Sequence, residues 1–170
     1  MPQNDVPDFT ALLRSAERSA VHLEMRDSYM ADPLFDAWRD GREIPLPDAY
    51  REWQDLVRET VARGVAVRRA RVVSEPVTDY IRWEHSLTGW HNVAAGEDVR
   101  WLPRRLASDL MLPGNDLWLI DDRLVLFHWF TGDGEWAGHE VTEDPTVVKT
   151  VTAAFEAVWE RAIEHEEFAV

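Results

Sequence analysis

Apolar positions change their period several times along the chain, and each change marks an element. In "PDFTALLRSAERSA", Phe9, Leu12, Leu13 and Ala16 recur at helical spacing, with Asp8 placed as an N-cap. "AVHLEMRD" then alternates, Val21, Leu23 and Met25 on one side and His22, Glu24 and Arg26 on the other, which predicts a half-buried strand. "DPLFDAWRDGREIPLP" reads as a short helix closed by Gly41 and followed by a proline-bounded turn. From Asp48 to Arg63, Tyr50, Trp53, Leu56, Val57 and Val61 predict a longer helix, with Gly64 as its C-terminal stop.

The β-branched run "VAVRRARVVS" follows as a strand, and after Pro76 the helical pattern resumes to about Leu87. "TGWHNVAAGED" reads as loop, "DVRWLPRR" as a strand, and "LASDLMLPGND" as one helical turn and a Pro-Gly turn. "LWLIDDRLVLFHWFTGDGEWAGHEV" gives two or three adjacent strands turning at Asp121-Asp122 and at "TGDGE"; the first pair is too closely connected to be parallel. From Asp144 to about Glu164, Val147, Val151, Ala154, Phe155, Val158, Trp159 and Ala162 form the stripe of a final helix. Helices mixed with strands in this order predict an α/β sandwich on a mixed sheet. A soft boundary after residue 46 separates a small N-terminal helix-strand lobe, 1–46, from the sandwich, 47–170, within one continuous structural unit.

Composition narrows the function. Nine tryptophans and 45% hydrophobic residues in 170 provide for a sizeable core. A net charge of −14 disfavours direct binding to nucleic-acid phosphates, which draws its affinity from cations. The chain has no cysteine, which removes disulfides, thiolate metal sites and thiol nucleophiles. "MPQNDVPDF" lacks the basic and apolar regions of a signal peptide, and no run approaches the roughly 18 apolar residues that span a bilayer. The expectation is a cytoplasmic protein with no membrane partner.

Candidate chemistry is sparse. None of the six histidines, at 22, 85, 91, 128, 139 and 165, pairs at the i, i+4 spacing of a helical zinc site, so no metal is expected. Among the serines only Ser74 sits at a strand end; without a glycine-flanked elbow it reads, with Glu75, as a helix cap ahead of Pro76. No glycine-rich phosphate loop occurs, and no cofactor is implied. The richest stretch is "RRARVVSEPVTDYIRWEH": both faces of its strand mix apolar residues with arginine, and a buried guanidinium requires partners. Asp79 and Glu84 on the following helix offer them. The reading is therefore either a structural network or a surface for an anionic ligand or a partner's carboxylates, comprising Arg69, Arg71, Glu75, Asp79, Tyr80, Arg82 and Glu84, with no catalytic residue assigned.

"RVVSEPVTDYIRWE", "NVAAGEDVRWLPR", "DLWLIDDRLVL" and "FEAVWERA" resemble an actinobacterial domain-of-unknown-function family. Its N-terminal pattern is met at Phe9, Leu12, Ser15, Arg18, Ser19, Ala20, Leu23, Glu24, Arg26, Asp27 and Tyr29. Members of that family are encoded beside WhiJ-type helix-turn-helix regulators. The resemblance implies a non-enzymatic regulatory or interaction protein that works with a helix-turn-helix regulator, in a developmental or toxin–antitoxin-like pair, and leaves a homodimer open. From about residue 64 the chain also resembles degenerate phospholipase-D-like domains. The His-x-Lys pattern of those enzymes is absent, since His128 is followed by Trp129 and Phe130 and the only lysine is Lys149. The alternative is a hydrolase or phosphodiesterase-like enzyme using Arg71, Asp79, Glu84 and His85 or His128.

Overall fold

The computed structural model describes residues 8–170, so most of the segment read for a leader, residues 1–7, lies outside the described residues. Among the described residues five α-helices and seven strands follow in the order α1 (Phe9–Ser15), β1 (Ser19–Glu24), α2 (Pro33–Arg39), α3 (Asp48–Ala62), β2 (Ala66–Val73), α4 (Asp79–His91), β3 (Asp98–Pro103), β4 (Leu117–Ile120), β5 (Leu124–Phe130), β6 (Trp136–Thr142), α5 (Pro145–Arg161) and β7 (Ile163–Glu164). Side-chain caps start three of the helices: Asp8, the cap read from the sequence, and Asp32 and Asp144 each accept the N–H two residues on.

The strands form one mixed sheet in the order β6-β5-β4-β1-β2-β3-β7. β1, β2 and β3 run parallel and the remaining pairs are antiparallel, including the expected β4–β5 pair. On one face α5 lays Val151, Phe155 and Val158 over Leu23, Ala70, Val72 and Leu119. On the other, α1 and α3 cover Ala20, Val67, Trp118 and Ile120. α4 brings Ile81 against Val73, Val99 and Trp101. The mixed α/β sandwich expected from the pattern is what forms.

Three local readings change. The strand read as half-buried is covered on both faces, so His22 and Glu24 point not to solvent but beneath the helices, with Glu24 only 8% exposed. β1 is also the middle strand of the sheet, so the segment before residue 46 supplies the centre of the sandwich rather than standing beside it. Ser74 caps nothing. α4 begins later, capped by Thr78, and Ser74 instead gives its N–H and hydroxyl to the carboxylate of Asp27 at 2.7 and 2.6 Å. Two smaller differences follow from tertiary packing: α4 runs on to His91, and the chain after α5 turns extended at Ala162 to add β7 to the edge of β3.

The Asp121-Asp122 turn does more than reverse the chain. Both residues are left-handed (φ 54° and 52°), and Arg123 N–H closes the turn on the Ile120 carbonyl at 2.9 Å. The Asp121 carboxylate reaches across to accept the N–H groups of Glu17, Arg18 and Ser19 at 2.9, 2.7 and 2.9 Å, which fixes where β1 enters the sheet. Burial would raise this carboxyl, but the three backbone donors outweigh it and hold it below its ordinary range. Asp121→Ala orphans those donors and places a Cβ residue without a local acceptor at positive φ. The expected loss is about 2–3 kcal/mol in urea denaturation at neutral pH.

Candidate functional site

The parallel pairing of β1 with β2 sets His22 beside Arg69 and Glu24 beside Arg71, on the sheet face turned toward α3 and α4. Both arginines are buried, at 7% and 6% exposure, so each guanidinium must find acceptors inside the protein. Glu24 supplies two, receiving Arg69 Nη1 at 2.6 Å and Arg71 Nε at 2.5 Å on its separate oxygens. Glu97, whose side chain is fully buried, receives Arg69 Nε at 2.7 Å and is held in turn by Asn92 Nδ2 at 2.6 Å. From α4, Thr88 Oγ1 accepts Arg71 Nη1 at 3.1 Å, and Glu84 one turn earlier stands 3.5 Å from Nη2. Trp101 lies under the Arg71 guanidinium at 4.8 Å, while Trp53 and Trp118 flank that of Arg69, each at 5.7 Å.

Above this lattice, between the sheet face at β1 and β2 and the helices α1, α3 and α4, opens a cavity of about 360 Å³. Its walls are aromatic: Phe9 of α1, Tyr50 and Trp53 of α3, Tyr80 and Trp83 of α4, and Trp118 of β4. His22 stacks on Trp118 with ring centres 4.3 Å apart, and His128 of β5 stands 6.0 Å from His22. Four buried polar atoms of this lining have no hydrogen-bond partner: His22 Nδ1, Glu84 Oε2, His91 Nδ1 and His128 Nε2. Folded proteins rarely leave such atoms unpaired.

The carboxyls of the lattice are driven apart. Burial would raise Glu24, but Arg69 and Arg71 together outweigh it and hold this group well below the usual carboxylate range. Glu84 sees one guanidinium at longer range; burial dominates, Glu24 adds repulsion, and the group is pushed up to about 7. The histidines move the other way. Burial, reinforced by Arg69, lowers His22 well below its ordinary value and brings His91 to about 4. Burial and His139 lower His128 to about 4, so all three are neutral at physiological pH.

Of the residues singled out in the sequence, the structure gathers Arg69, Arg71, Tyr80 and Glu84 at this cavity. Glu75, Asp79 and Arg82 stay outside it. Glu75 pairs with Arg105 at 2.7 Å and Arg82 with Asp79 at 2.9 Å, both on the exposed surface: Glu75 precedes α4, and Asp79 and Arg82 lie on its outer side. His85 packs against His165 and Trp101, on another side of α4. Glu24, Glu97, His22 and His91 were not singled out for this site, whereas His128, offered with Arg71 and Glu84 for the enzyme reading, does line it. One signal was available: His22-x-Glu24 on one strand and Arg69-x-Arg71 on another place ionisable side chains at the same two-residue interval. Among the described residues no cluster of histidine and carboxylate has the make-up of a metal site.

Residues 7–170 match the domain of unknown function DUF6879. The chain belongs to that family. No curated protein sequence matches it. TrmBL2, an archaeal chromatin protein with a novel mode of DNA binding, is similar in structure with a TM-score of 0.51 and 16% identity over 92% of this chain. This chain spans about half of that protein, 49% of its length, and the likeness is one of fold. The phospholipase D family member Nuc from Salmonella typhimurium aligns at a TM-score of 0.47 and 16% identity, over 91% of this chain and 86% of its own. Phosphatidylserine synthase of Haemophilus influenzae Rd KW20 aligns at 0.49 and 10% identity, over 95% of this chain and 38% of its own. No helix among the described residues is long and apolar enough to cross a membrane.

The lattice yields paired expectations. Glu24→Ala leaves two buried guanidiniums short of acceptors and is expected to lose about 3–5 kcal/mol in urea denaturation. Glu84 behaves oppositely. Its folded value lies above its unfolded one, so its stabilising contribution is complete below the unfolded value and is lost as pH rises through about 7. Glu84→Gln should therefore match the wild type in stability near about pH 4 and exceed it by about 3 kcal/mol near about pH 8.

Proposed function

We propose that this chain is a non-catalytic regulatory module that takes a small ligand into the aromatic cavity and acts on a helix-turn-helix transcription regulator. The observation that carries the ligand half is the coexistence of a self-neutralised floor with unpaired buried atoms in the lining. A purely structural ion network needs no cavity, and a cavity with no occupant has no use for polar atoms without partners. The arginines already end on this chain's own carboxylates, which argues against their serving as an anion site.

The partner half rests on the family resemblance and on charge. A net charge of −14 suits docking onto a basic DNA-binding protein and opposes direct contact with phosphates, so the DNA binding of the archaeal chromatin protein is not carried over. Exposed Met111, Trp129 and Trp136 provide apolar anchor residues of the kind that interfaces bury. Co-expression of the tagged chain with the regulator encoded beside it should give one complex in size-exclusion chromatography; two separate peaks would refute the partner half.

One observation favours a second reading. Glu84, pushed up to about 7 with a free oxygen, shares the cavity with neutral His22 and His128, a combination suited to moving protons. Against it, no serine, threonine or lysine is among the cavity's lining residues, and the guanidiniums that a phosphoryl transition state needs are engaged. Bis-p-nitrophenyl phosphate should accordingly not be turned over. Hydrolysis that disappears in Glu84→Gln would move the assignment to the enzyme.

A further inference from the structure

We propose that the cavity takes a small organic cation, a protonated amine carried on an apolar or aromatic body, with Glu84 as its counter-ion. This rests on the reading of the cavity as a ligand site and names the class of ligand.

Charge at the floor is the first argument. Glu24, Glu84 and Glu97 face Arg69 and Arg71, so three carboxylates stand against two guanidiniums. Glu24 and Glu97 take up both arginines through short hydrogen bonds, and Glu84 is the acid left over, its Oε2 buried and without a partner. An ammonium group there supplies the missing donor and the missing charge together. An anion, by contrast, meets a surplus carboxylate and must break existing ion pairs to reach a guanidinium. A neutral ligand leaves the carboxyl burdened by burial.

The walls give the second argument. Trp53 and Trp118 already stack near the Arg69 guanidinium, and Tyr50, Tyr80 and Trp83 continue the same aromatic surface around the opening. Such faces attract a cation and bury its apolar body. At the rim Asp32 adds a further carboxylate, held by the N–H of Leu34 at 2.7 Å and the Tyr50 hydroxyl at 3.0 Å. The cavity volume suits a molecule with one ring and a short chain.

Around Glu84 the charged neighbours come from every side. Arg71 and, farther off, Arg69 of β2 favour its ionised form; Glu24 of β1 and Asp116, just before β4, oppose it. The phenols of Tyr29, Tyr50 and Tyr80 are raised by burial and stay protonated, and His22, His91 and His128 stay neutral. Below neutrality an entering ammonium therefore meets a protonated Glu84 and displaces its proton.

Three probes with one body separate the possibilities: phenethylamine, phenethyl alcohol and phenylacetate, titrated into the full chain by calorimetry and tryptophan fluorescence. The amine should bind at least about tenfold more tightly than the alcohol, with the carboxylate weakest. At about pH 6, calorimetry in two buffers of different ionisation enthalpy should show proton release on amine binding. Glu84→Gln should lower amine affinity about tenfold or more and abolish the release while leaving the alcohol unchanged; Glu84→Asp should keep part of both. The proposal is overturned if the alcohol or phenylacetate binds as tightly as the amine, if Glu84→Gln leaves amine binding intact, or if none of the three binds at millimolar concentration. Binding by the alcohol or phenylacetate alone would retain the ligand site and remove the cation, and complex formation with the regulator is read independently of all three.

Discussion

Two guanidiniums buried on one face of one strand dictate the arrangement around them. Removing an arginine from water is expensive unless its donors are met, and Arg69 and Arg71 sit only two residues apart on β2, so the need is doubled within a small volume. One carboxylate bridging both, Glu24, meets most of it, and this explains why β1 must lie beside β2 in the observed register. A slip of one residue would carry Glu24 to the face covered by α5 and leave Leu23 against the guanidiniums. Glu97, Asn92 and Thr88 then complete the coordination, which ties the turn before β3 and the last turns of α4 to the same point.

The same economy of partners shapes the cavity. Glu84 is the one carboxyl of the group that shares its guanidinium at a distance, and the difference between it and Glu24 is a difference in the number and closeness of arginines, not in burial. A low-lying acid that holds the frame and a high-lying acid that is free to change state thus arise from one cluster. Aromatic rings separate this cluster from solvent and, by stacking on the guanidiniums, supply the flat surfaces against which a visiting molecule would rest. The neutral histidines add polarity without charge.

Much of the fold was legible because helix caps, glycine stops and changes of period are local signals. Asp8, Gly41, Gly64 and the Asp121-Asp122 turn act where the chain pattern places them. The site was legible only in part. Arg69 and Arg71 stand out as cations on an apolar strand, and Glu84 follows from helical spacing, but Asp79 and Arg82 share a sequence neighbourhood with Glu84 while facing the other way round α4. Glu24 was hidden because alternation cannot tell a solvent face from one covered by helices, and only the sheet order reveals that β1 lies at the centre. Glu97 was hidden because it acts from a turn, where neither period applies. Ser74 was misread because its partner, Asp27, is remote in sequence.

The central place of β1 has a bearing on how the molecule is assembled in time. β1 needs β2 on one side and β4 on the other, and its pairing of Leu23 with Leu117 closes only once β4, more than ninety residues on, has been made. Until then the edge of β1 that faces β4 stands unpaired, although Glu24 can meet Arg69 and Arg71 as soon as β2 is in place. The sheet therefore closes around a strand that is made before both of its neighbours and is completed only by the distant one, a topology that favours slow folding and an extended interval of vulnerability to misassociation.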